Sequence, residues 1–193
     1  MPHQNTNISL YQESQAKDNC GFGLIVNRHG IQNRDVVKRS IVGLSSMTHR
    51  GAIGADGKTG DGCGLLFDLN QTFFKKQIKK ELKISLPELF GIAQIFSSSD
   101  LKKDLPAIKA ILKSENLIFE CVREVPINID VLGEIALESL PKINQIFITP
   151  ISKDFNKERF ESCLLQARKK MEELHNNDEK LYICSMSSQT IVY

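Results

Sequence analysis

No stretch of this chain approaches the roughly 18 apolar residues a membrane-spanning helix requires, so the sequence predicts no membrane anchor. Gln4, Asn5, Asn7 and Gln12 stand where a secretory signal needs an apolar centre, so export is not expected either. No two cysteines are spaced Cys-x-x-Cys, and the five present (Cys20, Cys63, Cys121, Cys163 and Cys184) are odd in number and widely separated. That argues against a disulfide framework or a zinc site and points to a reducing cytoplasm. The charge excess is only +2, so nothing demands nucleic acid or an anionic membrane as a partner. Internal repeats and low-complexity tracts are missing as well.

What remains is 193 residues, 41% apolar and 25% charged, enough for one well-buried domain. The chain is organised around Asp18-Asn19-Cys20-Gly21-Phe22-Gly23-Leu24-Ile25-Val26. The glycines beside Phe22 allow close backbone approach, and Leu24-Ile25-Val26 predicts a short buried strand with Cys20 at its mouth. Residues 1–19 contain almost nothing that could enter a core and read as a flexible polar leader. An isolated cysteine usually fills space in a core. If the leader were removed, however, Cys20 would carry a thiol and a free α-amine on one residue. An α-amine of pKa about 7.7–8.0 can take the thiol proton, so nucleophile and base would need no histidine.

Arg28-His29-Gly30 reads as a turn, and Val37, Ile41, Leu44 and Met47 predict a helix between Asn33 and Met47. A glycine-dense loop runs from Gly51 to Gly64, followed by a short buried strand at Leu65-Leu66-Phe67. Phe74, Ile78 and Leu82 mark a lysine-rich helix whose lysines form its solvated side. Strands are expected at 90–96, 117–122 and 143–149, and Asp100 is placed to cap a helix carrying Leu101, Leu105, Ile108 and Leu112. A short helix is expected at 133–139 and the longest at 154–175. Leu181–Met186 and Thr190–Tyr193 read as two strands of a hairpin across Ser187-Ser188-Gln189. Cys63, Cys121, Cys163 and Cys184 read as core packing.

One motif invites a wrong turn. Ala52-Ile53-Gly54-Ala55-Asp56-Gly57-Lys58-Thr59 matches a phosphate-binding loop except that Ala52 replaces the first glycine. A phosphate loop requires a strand before it and a helix beginning at the lysine. Here a helix precedes and Gly60-Asp61-Gly62 follows, so the match reads as a decoy. His49 at a helix end reads as a capping or structural residue. Arg50, before Gly51 at the loop entrance, is suited to fixing backbone carbonyls or a carboxylate.

Asp18-Asn19-Cys20-Gly21-Phe22-Gly23, Met47-Thr48-His49-Arg50-Gly51-Ala52, Gly54-Ala55-Asp56 and Thr59-Gly60-Asp61-Gly62-Cys63-Gly64 together resemble the class II glutamine amidotransferases. Among these, they are most similar to the domain that begins the large subunit of glutamate synthase. Leu181 to Tyr193 is similar to the family's stretch there, and Cys63 stands where the family usually has alanine. The resemblance implies an α+β fold of the N-terminal-nucleophile type, a four-layer αββα sandwich, with residues 1–19 a leader and 20–193 part of the amidotransferase domain. It implies Cys20 as nucleophile, forming a glutamyl thioester from glutamine with release of ammonia, and Arg50 and Gly51 beside it.

The resemblance also implies synthase domains elsewhere in the polypeptide that use the ammonia to make glutamate from 2-oxoglutarate. FMN and an iron–sulfur cluster are expected there, none in this stretch, and an electron-donating small subunit is a possible partner. The family's Asn-Gly oxyanion pair and carboxylate-gripping arginine come later in its order, and this sequence has no Asn-Gly dipeptide. The domain is therefore expected to continue past residue 193, and the isolated piece to be inactive. Two other readings stand beside this one: a non-catalytic regulatory or partner-binding domain on the same fold, and an Ntn hydrolase acting on another amide. Only catalysis requires Cys20 to be terminal and exposed.

Overall fold

The computed structural model describes residues 21–47, 51–174 and 181–193. The chain divides into two compact units, Met1–Cys63 and Gly64–Tyr193.

In the second unit the sheet is built from the runs that read most continuously apolar. β2 (Gly91–Ser97) and β4 (Lys142–Pro150) are its two central strands and are buried almost throughout. β3 (Leu117–Glu124) and β5 (Leu181–Ser187) flank them in the order β3-β4-β2-β5, all antiparallel. Coverage of both faces is why β2 and β4 lack the polar alternation of a half-exposed strand.

α3 (Leu105–Ser114) and α5 (Lys157–Leu174) cover one face. Ile108 and Leu112, with Phe160, Leu164, Ala167 and Met171, pack on Ala93, Ile95, Ile146 and Ile148 of the sheet. Their 4, 3, 4 spacing on α5 is one helical stripe, and each large side chain buried there contributes about 1.5–3 kcal/mol. Pro106 near the start of α3 lacks an N–H and so separates it from the 3₁₀ turn Leu101–Lys103, whose Lys102 N–H donates to Asp100.

α2 (Gln71–Leu82) lies against the other face, burying Phe74 and Ile78 with Ile92, Phe147 and Cys121. Phe147 is the hub, its ring centroid 6.0 Å from that of Phe74 and 6.1 Å from that of Phe90. Asn70 caps α2 by accepting the Phe73 N–H at 2.9 Å, and Lys83 in the left-handed region (φ 62°) ends it. Its lysines are the solvated side, as predicted, with Lys76, Lys79 and Lys80 exposed. The helix α4 (Glu134–Glu138) falls where the short 133–139 helix was expected.

Two strand predictions in this unit are corrected. β1 (Leu66–Asp68) begins one residue later than expected and is only half-buried at its centre. β6 (Thr190–Val192) pairs antiparallel with β1, not with β5, so Leu181–Tyr193 is no hairpin. The chain turns a corner at Ser187–Gln189 and passes from the four-stranded sheet to a two-stranded ribbon. Side chains satisfy that corner. Glu161 of α5 accepts the Ser188 N–H at 2.6 Å and the Ser187 hydroxyl at 3.0 Å, while Ser187 Oγ accepts the N–H groups of Gln189 and Thr190. A ladder partner for β6 was not needed there, and Ile191 instead joins the Phe74–Phe147 cluster.

In the first unit, α1 (Arg34–Ser45) forms as predicted, capped by Asn33, which accepts the Asp35 N–H at 2.8 Å. Gly30 (φ 66°) closes the 28–30 turn, donating its N–H to Asn27. The buried strand expected at Leu24–Val26 is absent: these residues join no ladder, and Leu24 and Val26 are largely exposed. β propensity is a preference for a pleated, half-covered surface, and without a partner edge it produces no strand.

Candidate active site

The glycine-dense segment after α1 is a closed hairpin. Ile53 and Gly60 form an antiparallel bridge, Asp61 N–H donates to Ala52 O at 3.3 Å, and Gly57 N–H donates to Gly54 O at 3.0 Å. Gly57 takes a left-handed conformation (φ 68°) that a side chain would strain. A Cβ on Gly60 would lie 3.3 Å from Ala52 O, so the close approach of the two arms also depends on glycine.

Two carboxylates hold this loop at different heights. Asp56 at the tip accepts the N–H groups of Lys58 (3.0 Å) and Thr59 (2.8 Å) and the Thr59 hydroxyl. Asp61 at the base accepts the Ala52 N–H at 2.9 Å. A Cβ on Gly51 would lie 3.5 Å from Asp61 Oδ2, an ordinary van der Waals contact. The resemblance to a phosphate loop fails on this geometry as well as on context. The amides that would cradle phosphate are donated to Asp56, and no helix begins at Lys58.

Of the site residues expected from sequence, Gly51 is described, as an exposed bend entering the hairpin. Cys20 and Arg50 lie outside the described residues, as does His49. Asp61 was missed as an anchor. Its signal was present in Thr59-Gly60-Asp61-Gly62, where an acid between glycines can turn its carboxylate onto backbone amides. Cys63 does not pack in a core but is exposed, which corrects the reading of it as core packing. Cys121 is buried, and burial first, then the nearby Glu120 charge, pushes its thiol up to about 11. Burial likewise raises Cys184, partly offset by the Arg168 charge.

The second unit holds one polar row across its sheet. Arg123 on β3 lies opposite Gln145 on β4, and Gln145 lies opposite Gln94 on β2. Arg123 forms an ion pair with Glu81 of α2 and donates to Gln145 Oε1 at 3.0 Å. Hydrogen bonds from Arg123, then from Gln77, hold the Glu81 carboxyl below its ordinary value. Tyr193 is raised by burial, against a hydrogen bond with Gln145 and the Arg123 charge. Among the described residues, no group of three or more His, Cys, Asp or Glu is gathered as metal ligands, and no helix is long and apolar enough to cross a membrane.

Comparison with known proteins places these features. A family model described as "Glutamine amidotransferases class-II" matches residues 20–193. The chain is 36% identical over 190 residues to the large chain of the NADPH glutamate synthase of Bacillus subtilis, covering 95% of this chain and 12% of that one. It is 34% identical over 194 residues to the corresponding Azospirillum brasilense chain, covering 97% of this chain and 13% of that one. It is 35% identical over 181 residues to a ferredoxin-dependent glutamate synthase of Arabidopsis thaliana, covering 90% of this chain and 11% of that one.

Proposed function

This chain belongs to the class II glutamine amidotransferases, and from that premise we propose that it is the glutamine-hydrolysing part of a glutamate synthase. The observation that carries the proposal is the match that begins at Cys20 itself and leaves out the polar leader. In this reading residues 1–19 are removed, residues 20–193 belong to the amidotransferase domain, and the fold is a four-layer αββα sandwich. The antiparallel four-stranded sheet with α3 and α5 on one face, and the β1–β6 ribbon, are consistent with part of that arrangement.

The chemistry follows from one residue holding both groups. The free α-amine of Cys20 accepts the thiol proton, and the sulfur attacks the side-chain carbonyl carbon of glutamine. The carbon–nitrogen bond then breaks, with the proton passing to the nitrogen, which leaves as ammonia. A glutamyl thioester remains. Water adds to the thioester carbon, the carbon–sulfur bond breaks, and glutamate leaves as the thiol regains its proton. On the family resemblance, we assign Arg50 and Gly51 the role of shaping the nucleophile's surroundings.

The ammonia is used by synthase domains elsewhere in the full-length polypeptide, which convert 2-oxoglutarate to glutamate in the cytoplasm. We assign FMN and an iron–sulfur cluster to those synthase domains on the strength of the family resemblance. No step here runs through either group. The relatives are named for NADPH, NADH and ferredoxin, so the electron donor, and any small subunit that delivers electrons, is chosen outside this stretch.

The test is intact-mass analysis of the full-length protein with a Cys20→Ala variant alongside. The active protein should begin at Cys20. The variant should lose glutamine hydrolysis yet still make glutamate from added ammonia. An active preparation that retains Met1 or Pro2 would overturn the mechanism.

A further inference from the structure

We propose that Asp61 is a positioning residue for glutamine hydrolysis, holding the Gly51-Ala52 peptide in register at the mouth of the hairpin. The inference rests on the glutaminase reading above. Both hydrogen-bonding groups of Ala52 end on this one residue, nine positions away: its N–H donates to Asp61 Oδ2 at 2.9 Å, and its carbonyl accepts the Asp61 N–H at 3.3 Å. A bond from a neutral amide to an ionised carboxylate is short and directional, so it fixes the peptide's orientation as well as its distance. The same carboxylate passes Gly51 at ordinary van der Waals distance, so the two Ala52 hydrogen bonds alone hold the peptide.

The other acid of the loop does a different job. Asp56 is engaged at the tip with Lys58 and Thr59, on the far side of the Ile53–Gly60 bridge from Gly51. Losing Asp56 loosens the tip while the base stays closed. Losing Asp61 opens the base, where Gly51 enters. Because the loop is exposed, little of the protein's core depends on either acid. The effect of Asp61 is therefore on geometry at the reacting centre, where a misplacement of about 1 Å can cost on the order of 10²-fold in rate.

The experiment uses the full-length protein with Asp61→Ala, Asp61→Asn and Asp56→Ala, measuring glutamine hydrolysis, ammonia-dependent glutamate formation and the thermal transition. Asp61→Ala should lower kcat for glutamine by about 10–10²-fold with a smaller change in KM. Its ammonia-dependent rate and melting temperature should match the wild type. Asp61→Asn, which keeps an oxygen acceptor for the Ala52 N–H, should recover most of kcat, and Asp56→Ala should cost less than Asp61→Ala. Wild-type kcat in Asp61→Ala, a loss in KM alone, or no rescue by asparagine would overturn the inference. So would collapse of the thermal transition, which would make Asp61 a folding residue. Failure of the wild-type protein to hydrolyse glutamine would instead strike at the proposed function.

Discussion

Gly91 opens β2 at a point where three elements converge, and replacing it with alanine should destabilise the protein through a single methyl group. The added Cβ would lie 2.8 Å from Leu164 Cδ1 and 3.4 Å from Leu164 Cδ2, on the fully buried stripe of α5. It would also lie 3.2 Å from the Ser187 carbonyl oxygen. The two contacts differ in kind. A leucine methyl can rotate away, although here it must move inside a filled core. The Ser187 carbonyl cannot rotate, because the corner that follows it is tied to Glu161. Overpacking of this sort typically costs about 1–3 kcal/mol. At about 2–4 °C per kcal/mol for a chain of this size, the melting temperature should fall by roughly 2–12 °C.

A double-mutant cycle isolates the cause. Leu164→Val removes the crowding methyl and should by itself cost about 0.5–1.5 kcal/mol, the usual range for a truncation of that size. Combined with Gly91→Ala, it should cost less than the sum of the two, since the methyl and the new Cβ compete for one space. Recovery should stop short of complete, because the Ser187 contact persists. Urea unfolding of the four proteins gives the coupling. Additivity within about 0.3–0.5 kcal/mol, or an unchanged Gly91→Ala protein, would refute the claim that Leu164 and Gly91 share a fixed packing site.

Glu81 should contribute stability above its ordinary pKa, and lose it as the pH falls through the depressed value of the folded state. The stability gap between the wild type and Glu81→Gln should therefore narrow from pH 7 to pH 3, and a gap that widens in acid would put the Arg123 pairing in error. Thiol labelling with iodoacetamide at pH 8 should modify exposed Cys63 in the native protein, whereas buried Cys121, with its thiol raised to about 11, should react only on unfolding. Equal labelling rates at the two positions would contradict the packing described for β3.

What the sequence made legible was whatever depends on neighbours a few residues away. The α5 stripe, the Asp100 cap, the lysine side of α2 and the apolar runs of β2 and β4 each follow from local spacing or composition. What escaped depends on distant partners. Leu24-Ile25-Val26 has the composition of a strand but no edge to pair with among the described residues. β6 has a strand's composition too, yet its partner is β1, more than a hundred residues earlier in the sequence. The Arg123–Glu81 pair spans 42 positions, and neither residue type nor spacing announced it. The family resemblance supplied the catalytic expectation for Cys20 and Arg50, which spacing alone left open.

The loop between Gly51 and Gly62 shows why a motif's letters under-determine its chemistry. A glycine-rich turn exposes backbone N–H groups whatever its function, and those donors will be satisfied by some acceptor. In a phosphate loop the acceptor is the ligand, so the loop itself must carry no competing anion. Here Asp56 and Asp61 lie within the loop and accept the amides of Lys58, Thr59 and Ala52. An incoming phosphate would find those amides already donated and two negative charges beside them. The same glycines therefore serve a different end. They let two acids reach the backbone, Asp56 closing the tip of the hairpin and Asp61 its base at Ala52.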